Sequence, residues 1–426
     1  MRIEIQHVGP LRDVQLDVRD LNIFIGPQAS GKSTIAKVVW FAKRIKEVLS
    51  RVVSELLSKQ FISDKSFIQQ FRNAVYSELQ SIFGNASFSR QFQSGESRIH
   101  IHLSDLMLID ITNASPLVHL SESFEEKLRE VYEVFREIEP IHNDRKITLD
   151  EYKKLMATRK NIPDIKPLIN GIFDDARIAG FIPEGKATLA LINFNKEVEV
   201  FSNLIPYFVF NFQTISTDDQ ILQDNYQIRE TVMHILQSAA SATQGIMSNN
   251  HLAIKPGMAI PVDQLSSGQR ETYHLIRYLL ELLQNRTRAF LVIEEPEAHL
   301  FPEGQRRMTE LLAYFVNQPG WPNQRNEESN QLLLTTHSPY ILSAFNNLLY
   351  AWQVGQQQPD ETAALIPREL WIDPARVGAY YVDGGTIRSI MDEELQQIRA
   401  EEIDGASARI NETYDALFNL QHAPTP

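Results

Sequence analysis

The apolar positions near the start of the chain alternate with polar ones and then become continuous. Alternation over residues 3–5 and 14–18 is typical of strands that expose one face, whereas the unbroken run over 21–25 indicates a buried strand. Turn-forming residues separate these stretches at positions 9–10 and 19–20. The pattern therefore predicts two half-exposed strands followed by one buried strand.

A helical period replaces the strand pattern further along the chain. Apolar residues recur three or four positions apart from Ile35 to Leu56, which predicts one long helix that begins near Lys32. We expect so long a helix to leave the core and enter an insertion that extends to about residue 220. Within that insertion the pattern predicts strands at 98–103 and 106–111 and helices at 124–138 and 165–182.

The C-terminal half returns to strand-length apolar runs. Residues 289–293 and 332–334 predict buried strands, and residues 380–387 predict a hairpin, because Asp-Gly-Gly at its centre tolerates positive φ. Helical patterns follow from Met391 to about Leu420. We divide the chain into an N-terminal part of a core (1–49), an insertion of mixed strands and helices (50–220), a C-terminal part of the core (221–350), and a hairpin with a helical tail (351–426).

The segment between the third strand and the long helix reads Gly26-Pro27-Gln28-Ala29-Ser30-Gly31-Lys32-Ser33. This is the pattern of a phosphate-binding loop, in which glycines let successive backbone N–H groups point at phosphate oxygens and the helix N-terminus adds its positive end. Lys32 can reach the β- and γ-phosphates, and Ser33 can ligate Mg²⁺. The alternative is a strand-to-helix turn that matches by chance. Because strand and helix both lie where phosphate binding needs them, the octamer predicts a nucleoside triphosphate site.

The strand over 289–293 ends in the acidic sequence Glu294-Glu295-Pro296-Glu297. In a phosphate-loop enzyme, Glu294 at the strand tip would hold Mg²⁺, and Glu295 would polarise the water that attacks the γ-phosphate. Adjacent residues on a strand point to opposite faces, so the two carboxylates cannot have the same role. In isolation the same residues would indicate only a solvated acidic turn.

Two further segments accompany these motifs. Leu265-Ser266-Ser267-Gly268-Gln269-Arg270 precedes a predicted helix, where its serines can cap the helix or, with the glycine, form an anion site. His337 follows the last buried strand, a place where a lone histidine is commonly structural. Here it comes one helix after the acidic strand, so neighbouring parallel strands would deliver Glu295 and His337 to the same sheet edge.

The composition of the chain excludes several classes of protein and of binding site. With 426 residues the chain exceeds the usual size of a single core, it has no cysteine, and its formal charge is -13. The lack of cysteine excludes disulfides and Cys-ligated metal sites, and the acidic charge argues against a surface that wraps nucleic acid, although a local basic groove stays open. No apolar run reaches the length of a membrane span, and the N-terminus lacks a secretion signal, so we expect a cytoplasmic protein.

One other pair of residues has metal-ligand chemistry. His100 and His102 alternate on a predicted strand and would share one of its faces. A third ligand is not evident, so we interpret the pair as part of an exposed polar face.

Taken together, the phosphate loop, Leu-Ser-Ser-Gly-Gln, Glu-Glu-Pro-Glu and the strand-end histidine resemble the ABC-type ATPase heads. The resemblance is to their soluble branch, which includes RecF, SMC-like repair proteins and the overcoming-lysogenization-defect ATPases, and it covers residues 1–41 and about 263–344. It implies an α/β fold, an ABC-type P-loop NTPase head with a large, mainly helical insertion and a C-terminal β-hairpin plus helices. It also implies a head-to-tail homodimer that sandwiches ATP and opens on hydrolysis.

The resemblance also assigns roles to residues. ATP would contact Gly26, Gln28, Ala29, Ser30, Gly31, Lys32, Ser33 and Thr34 of one subunit and Ser266, Gly268 and Gln269 of the other. Ser33 and Glu294 would hold Mg²⁺; Lys32, Glu295 and His337 would be catalytic, with His337 as the γ-phosphate switch; Ala298 and His299 would lie in the D-loop. Ser267 stands where glycine is commonest and Glu294 where many relatives carry aspartate, but both occur in the soluble branch. No Q-loop glutamine can be assigned, and Gln213 is only a weak candidate.

The sequence after His337 bears on what the ATPase would do. A nuclease fused to such a head would need a Toprim domain with an Asp-x-Asp strand end, and no Asp-x-Asp follows His337. We therefore hypothesise an ATP-driven switch for a separate effector protein such as a nuclease, with bacterial anti-phage defence as its setting and no membrane partner. The alternative is a RecF- or SMC-like ATPase that binds DNA in repair, although long heptad arms are absent. The large insertion disfavours a transporter subunit.

Overall fold

The structure is a computed structural model of the 426-residue chain. It describes residues 1–56, 63–84, 92, 97–104, 106–113, 117–136, 165–173, 175, 177–183, 247–248, 251–255, 258–261, 272, 275–276, 278–279, 282–283, 287–318, 329–399 and 411–418. The motif at 265–270 and Gln213 lie outside these residues.

The described part of the chain contains both strands and helices, as an α/β fold requires. The strands are β1 (Arg2–Val8), β2 (Leu11–Asp17), β3 (Leu21–Ile25), β4 (Arg98–His102), β5 (Leu108–Thr112), β6 (Val118–Leu120), β7 (Ile178–Ile182), β8 (Met247–Ser248), β9 (His251–Lys255), β10 (Met258–Pro261), β11 (Ala289–Glu294), β12 (Gln331–Thr336), β13 (Val377–Asp383), β14 (Thr386–Ser389), β15 (Met391–Asp392) and β16 (Gln397–Ile398). The α-helices are α1 (Lys32–Leu56), α2 (Asp64–Phe83), α3 (Glu122–Arg136), α4 (Ile165–Phe173), α5 (Pro302–Asn317), α6 (Pro339–Gly355) and α7 (Pro359–Leu365). Short 3-10 helices occur at Arg368–Leu370 and Pro374–Arg376.

One large mixed sheet organises the described part of the chain. Its strand order is β6-β5-β4-β1-β2-β14-β13-β3-β12-β11-β7. The stretch from β13 to β7 is parallel throughout, whereas the stretch from β6 to β2 is antiparallel. The strands β4 to β7, which come from the segment 50–220, are thus hydrogen-bonded into the same sheet as β1 and β11.

Helices cover both faces of the parallel part of the sheet. On one face α1 packs with Phe24, Phe290 and Leu333, and the same apolar cluster continues under the antiparallel strands to α2 and α3. On the other face α5 and α6 pack with residues such as Ile23 and Leu291. Because both faces are covered, β3, β11 and β12 are buried along their whole length, as the continuous apolar runs predict. The predicted α/β class is confirmed.

Several predicted elements are present with small shifts in their ends. The first three strands, the long helix from Lys32 and the hairpin across Gly384 are all found. The exposed and buried positions of β1 alternate as its sequence predicts.

Two predicted helices are wrong in part. Residues 165–182 do not form one helix, because α4 ends at Phe173 and 178–182 form the edge strand β7 beside β11. A Cβ at Gly180 would overlap Leu291 and Tyr278, so close packing against the sheet decides this segment rather than its apolar period. The helical pattern from Met391 is also wrong at its start, since Met391–Asp392 and Gln397–Ile398 pair as antiparallel strands; helix is found at 411–418.

None of the described helices is long and apolar enough to cross a membrane.

Candidate functional site

The predicted site residues at the ends of β3, β11 and β12 converge because these three strands are neighbours. In the parallel sheet Ile25 at the end of β3 pairs with Thr336 of β12, and Thr335 of β12 pairs with Glu294 of β11. Adjacent strands lie about 4.8 Å apart, so the segments that follow these three strand ends meet at one edge. The carboxyl edge of a parallel sheet is where open α/β folds bind ligands.

The phosphate loop folds tightly at its two glycines. Gly26 and Gly31 have positive φ angles of 156° and 108°. A Cβ at Gly26 would overlap the carbonyl oxygen of Val382, and a Cβ at Gly31 would overlap the side chain of Leu11. Both positions therefore need glycine, for backbone conformation and for space.

The lysine of the loop is held inside it. Lys32 is buried and its Nζ donates hydrogen bonds to the carbonyl oxygens of Gly26 (2.9 Å) and Pro27 (2.7 Å). It is the first residue of α1, and the first turn of α1 contains no acidic side chain that would compete for its positive end. Thr34 is buried, whereas Ser33 is exposed.

The middle of the loop presents polar atoms and a strained turn. Gln28 and Ala29 are exposed, and Ala29 has a φ of 59°. The Oγ of Ser30 is buried and has no hydrogen-bond partner among the described residues. Buried polar atoms are rarely left unpaired, so Ser30 fits a ligand that supplies the missing partner.

The two carboxylates after β11 occupy different environments. Glu294 is the last residue of the strand and is buried, at 7% exposure. Glu295 follows it with a φ of 46°, its N–H donates to the Thr335 carbonyl at 2.9 Å, and its side chain is 23% exposed. The two carboxylates thus differ in exposure and in backbone conformation.

His337 lies directly beside Glu295. Its Nε2 is 3.1 Å from Glu295 Oε1, and 37% of its side chain is exposed. The two groups come from neighbouring strands and reach each other at the edge where the phosphate loop begins. The predicted convergence of Glu295 and His337 is therefore seen in the structure.

A third carboxylate, to which the sequence analysis assigned no role, links the same two segments. Glu297 Oε1 accepts hydrogen bonds from the Thr336 hydroxyl at 2.7 Å and from the His337 N–H at 2.9 Å. The signal available in the sequence was a hydroxyl residue next to His337 and a second glutamate two positions after Glu295. Neither predicts a contact until the strands are placed side by side.

Of the other predicted site residues, the structure describes Ala298 and His299. Ala298 lies in the turn after β11, where its N–H donates to the Glu295 carbonyl, and His299 is exposed with a φ of 64°. Ser266, Gly268 and Gln269 lie outside the described residues, as does Gln213.

The histidines of β4 contact carboxylates across the sheet. His100 Nδ1 is 3.5 Å from Asp110 Oδ1, and His102 Nε2 is 3.6 Å from Glu4 Oε1. Among the described residues no group of three or more His, Asp or Glu could hold a metal ion. His100 and His102 are both partly exposed, and each contacts a carboxylate of a neighbouring strand.

Comparison with known proteins gives one family match. The AAA ATPase domain family matches residues 119–342, which is just over half of the chain and contains Glu294, Glu295 and His337 but not the phosphate loop. No curated protein matches the chain.

Solved structures similar to the chain include three SMC heads. The SMC head domain from Thermotoga maritima has 10% identity and a TM-score of 0.34, with 91% of this chain and 97% of that chain covered. An SMC head bound to the C-winged helix domain of ScpA has 10% identity and a TM-score of 0.37, covering 91% and 96%. An SMC head with an extended coiled coil, bound to the C-terminal domain of ScpA derived from Pyrococcus furiosus, has 9% identity and a TM-score of 0.35, covering 96% and 98%.

Proposed function

The chain belongs to the AAA ATPase domain family, and from that premise we propose that it binds ATP with Mg²⁺ at the carboxyl edge of its parallel sheet and hydrolyses it there. The observation that carries the proposal is the contact of 3.1 Å between His337 and Glu295 at the strand end next to the phosphate loop. A water-activating carboxylate beside a triphosphate site is what hydrolysis requires.

The residues present fit both ligands. The loop offers backbone N–H groups, the buried amine of Lys32 and the unpaired Ser30 Oγ to phosphate oxygens. Ser33 and Glu294 offer a hydroxyl and a carboxylate, the oxygen donors that Mg²⁺ prefers. When bound, Mg²⁺ would neutralise charge on the β- and γ-phosphates.

The chemistry assigned to the protein residues is a single displacement. Glu295 accepts a proton from a water molecule while the oxygen of that water forms a bond to the γ-phosphorus. The bond between the γ-phosphorus and the β–γ bridging oxygen breaks, and ADP and phosphate are released. Lys32, held by the Gly26 and Pro27 carbonyls, faces the charge that accumulates on the phosphates. His337 orients Glu295 and senses the γ-phosphate through the same edge.

We further propose that ATP closes a head-to-tail homodimer, in which Ser266, Gly268 and Gln269 of one subunit complete the site of the other. This follows from the resemblance to ABC-type ATPase heads. The same resemblance supports a role as a switch for a separate effector, such as a nuclease. Bacterial anti-phage defence is the proposed setting.

The ATPase proposal is tested with Lys32→Ala. Loss of the loop amine should lower kcat/KM for ATP by about 100-fold or more, because one positioned charge in a phosphoryl-transfer site is worth several kcal/mol. Lys127→Ala is the matched control, since Lys127 pairs with Glu130 on the exposed face of α3. Phosphate release at equal rates by wild type and Lys32→Ala would contradict the proposal.

The switch proposal needs a test of its own. Copurification of the tagged protein expressed from its native operon should recover a second protein, and phage restriction should be lost with Lys32→Ala. Recovery of no partner, together with restriction by Lys32→Ala equal to wild type, would rule the switch out. ATP-dependent DNA binding that weakens with salt would instead favour the RecF- or SMC-like alternative.

A further inference from the structure

The turn that carries Glu295 is tied to the end of β12 by a buried carboxylate. Glu297 is 8% exposed, and its Oε1 receives the Thr336 hydroxyl and the His337 N–H. The turn closes on itself as well, because the Leu300 N–H donates to the Glu297 carbonyl at 2.9 Å. Glu297 is therefore fixed in position and in turn fixes the backbone of His337.

Thr336, whose hydroxyl donates to Glu297, makes a further contact with the residue after His337. Thr336 is fully buried, and its Oγ1 accepts the Ser338 N–H at 3.0 Å while it donates to Glu297. The Ser338 hydroxyl caps α6 through the Tyr340 N–H and contacts Gln305 of α5. The His337 backbone is thus held from both sides, by Glu297 before it and by the capped helix after it.

The position of Glu295 depends on the end of β12, the segment that Glu297 holds in place. Glu295 has a left-handed backbone conformation, which costs energy for a residue other than glycine and persists only where neighbours enforce it. The Glu295 N–H donates to the Thr335 carbonyl and the Glu295 side chain contacts His337, and both of these partners lie on the segment that Glu297 holds. A change at Glu297 therefore reaches Glu295 through two hydrogen bonds.

We propose that Glu297 is the positioning residue of the site, which sets the distance between Glu295 and His337 and does not itself touch ATP; this rests on the proposed ATPase function. Its Oε1 already accepts two hydrogen bonds from the end of β12, the segment that carries His337. The role needs an acceptor oxygen at Oε1 and not a negative charge.

The distinction between acceptor and charge gives the test. Glu297→Gln keeps an amide oxygen that can accept both hydrogen bonds, so its kcat should stay within about threefold of wild type. Glu297→Ala removes the acceptor, and kcat should fall about 100-fold while KM for ATP changes less than about threefold, because misplaced catalytic groups lose rate rather than ground-state binding. Steady-state phosphate release over a range of ATP concentrations measures both.

Two further variants keep the test decisive if Glu297→Ala does not fold. Thr336→Val removes one of the two donors and should lower kcat about tenfold without a change in KM, and Thr336→Ser should restore it. Glu303→Gln is the matched control, because Glu303 is an exposed glutamate of α5 that pairs with Arg306 and Arg307. Its kcat should equal that of wild type.

The outcomes separate this inference from the proposed function. If wild type hydrolyses ATP but Glu297→Ala and Thr336→Val do so at the wild-type kcat, the positioning role is wrong and the ATPase stands. If Glu297→Gln is as slow as Glu297→Ala, the charge is required and the role is not positioning. If wild type does not hydrolyse ATP at all, the ATPase proposal fails and the role of Glu297 falls with it.

Discussion

Asp175 shows how strongly a single residue can depend on its neighbours. It lies in the segment just before β7, and its Oδ2 is 2.8 Å from Lys43 Nζ while its Oδ1 is near Lys46 and Arg177. Burial favours the protonated form of Asp175, but the charges of Lys43, Lys46 and Arg177 outweigh burial and hold its pKa well below the ordinary range. Burial also lowers the pKa of Lys46, which Asp175 partly opposes. The cluster ties α1 to the beginning of β7.

The pKa of Asp175 gives a prediction about stability. Because the folded-state pKa lies below the unfolded value of about 4, ionised Asp175 stabilises the fold in full above about pH 4, and this contribution is lost as the pH falls through the folded-state pKa. Asp175→Asn should lower the free energy of unfolding by about 3 kcal/mol at pH 7. The difference from wild type should persist down to about pH 5 and shrink below about pH 4.

The free energy of unfolding of both proteins is measured by urea unfolding, followed by circular dichroism, at about pH 7, 5 and 3. These values cover the pH range in which the difference is expected to shrink. Asp360→Asn is the control, because Asp360 is 91% exposed and its pair with Arg368 lies in water. It should leave the urea midpoint unchanged. A difference between Asp175→Asn and wild type that grew as the pH fell would contradict the assignment of the pKa shift.

At the scale of elements, the C-terminal hairpin supports the phosphate loop. β13 lies beside β3 in parallel, so the loop that leaves β3 runs over the end of β13 at Val382. The hairpin also reaches β2, since the Arg12 N–H donates to the Gly385 carbonyl at 2.7 Å. The loop is therefore shaped by a segment more than 350 residues away in the sequence.

This contact predicts the effect of a methyl group at the loop. Gly26→Ala places a Cβ on the Val382 carbonyl oxygen and forces a positive φ on alanine, so the loop must shift. We expect the affinity for ATP to fall at least about tenfold, because the backbone N–H groups of the loop no longer point at the phosphate oxygens. Gly171→Ala is the control, since a Cβ there meets nothing within 4 Å. Fluorescent nucleotide titration measures both, and equal affinities for Gly26→Ala and wild type would contradict the role of the contact.

At the scale of the whole molecule, the sequence predicts strands and motifs better than it predicts their partners. The sequence predicted the buried strands β3, β11 and β12 and the loop at Gly26, because the spacing of apolar residues and of glycines is a local property of the sequence. The place of β7 was not, because its pairing with β11 depends on contacts across more than a hundred residues. The tie from Glu297 to Thr336 was hidden for the same reason, since it exists only once the two strands are adjacent.

The proposed dimer makes each site depend on two molecules, which leads to a complementation test. A Lys32→Ala subunit keeps its segment at 265–270, and a Ser266→Arg subunit keeps its phosphate loop. Each variant alone should be inactive. Lys32→Ala lacks the amine of the phosphate loop, and Ser266→Arg binds ATP but cannot complete the site of a partner subunit. A mixed dimer would contain one site built from the intact loop of one subunit and the intact segment of the other, so mixing should restore at most about a quarter of wild-type activity.

Phosphate release by each variant alone and by the mixture at equal total concentration measures this restoration. Sedimentation velocity with ATP should show dimers for wild type and monomers for Ser266→Arg. A mixture of Lys32→Ala with Glu303→Gln serves as the control for simple dilution, because Glu303 lies on the exposed surface of α5. Normal turnover by Ser266→Arg as a monomer would overturn the shared site, since a complete site would then exist within one chain.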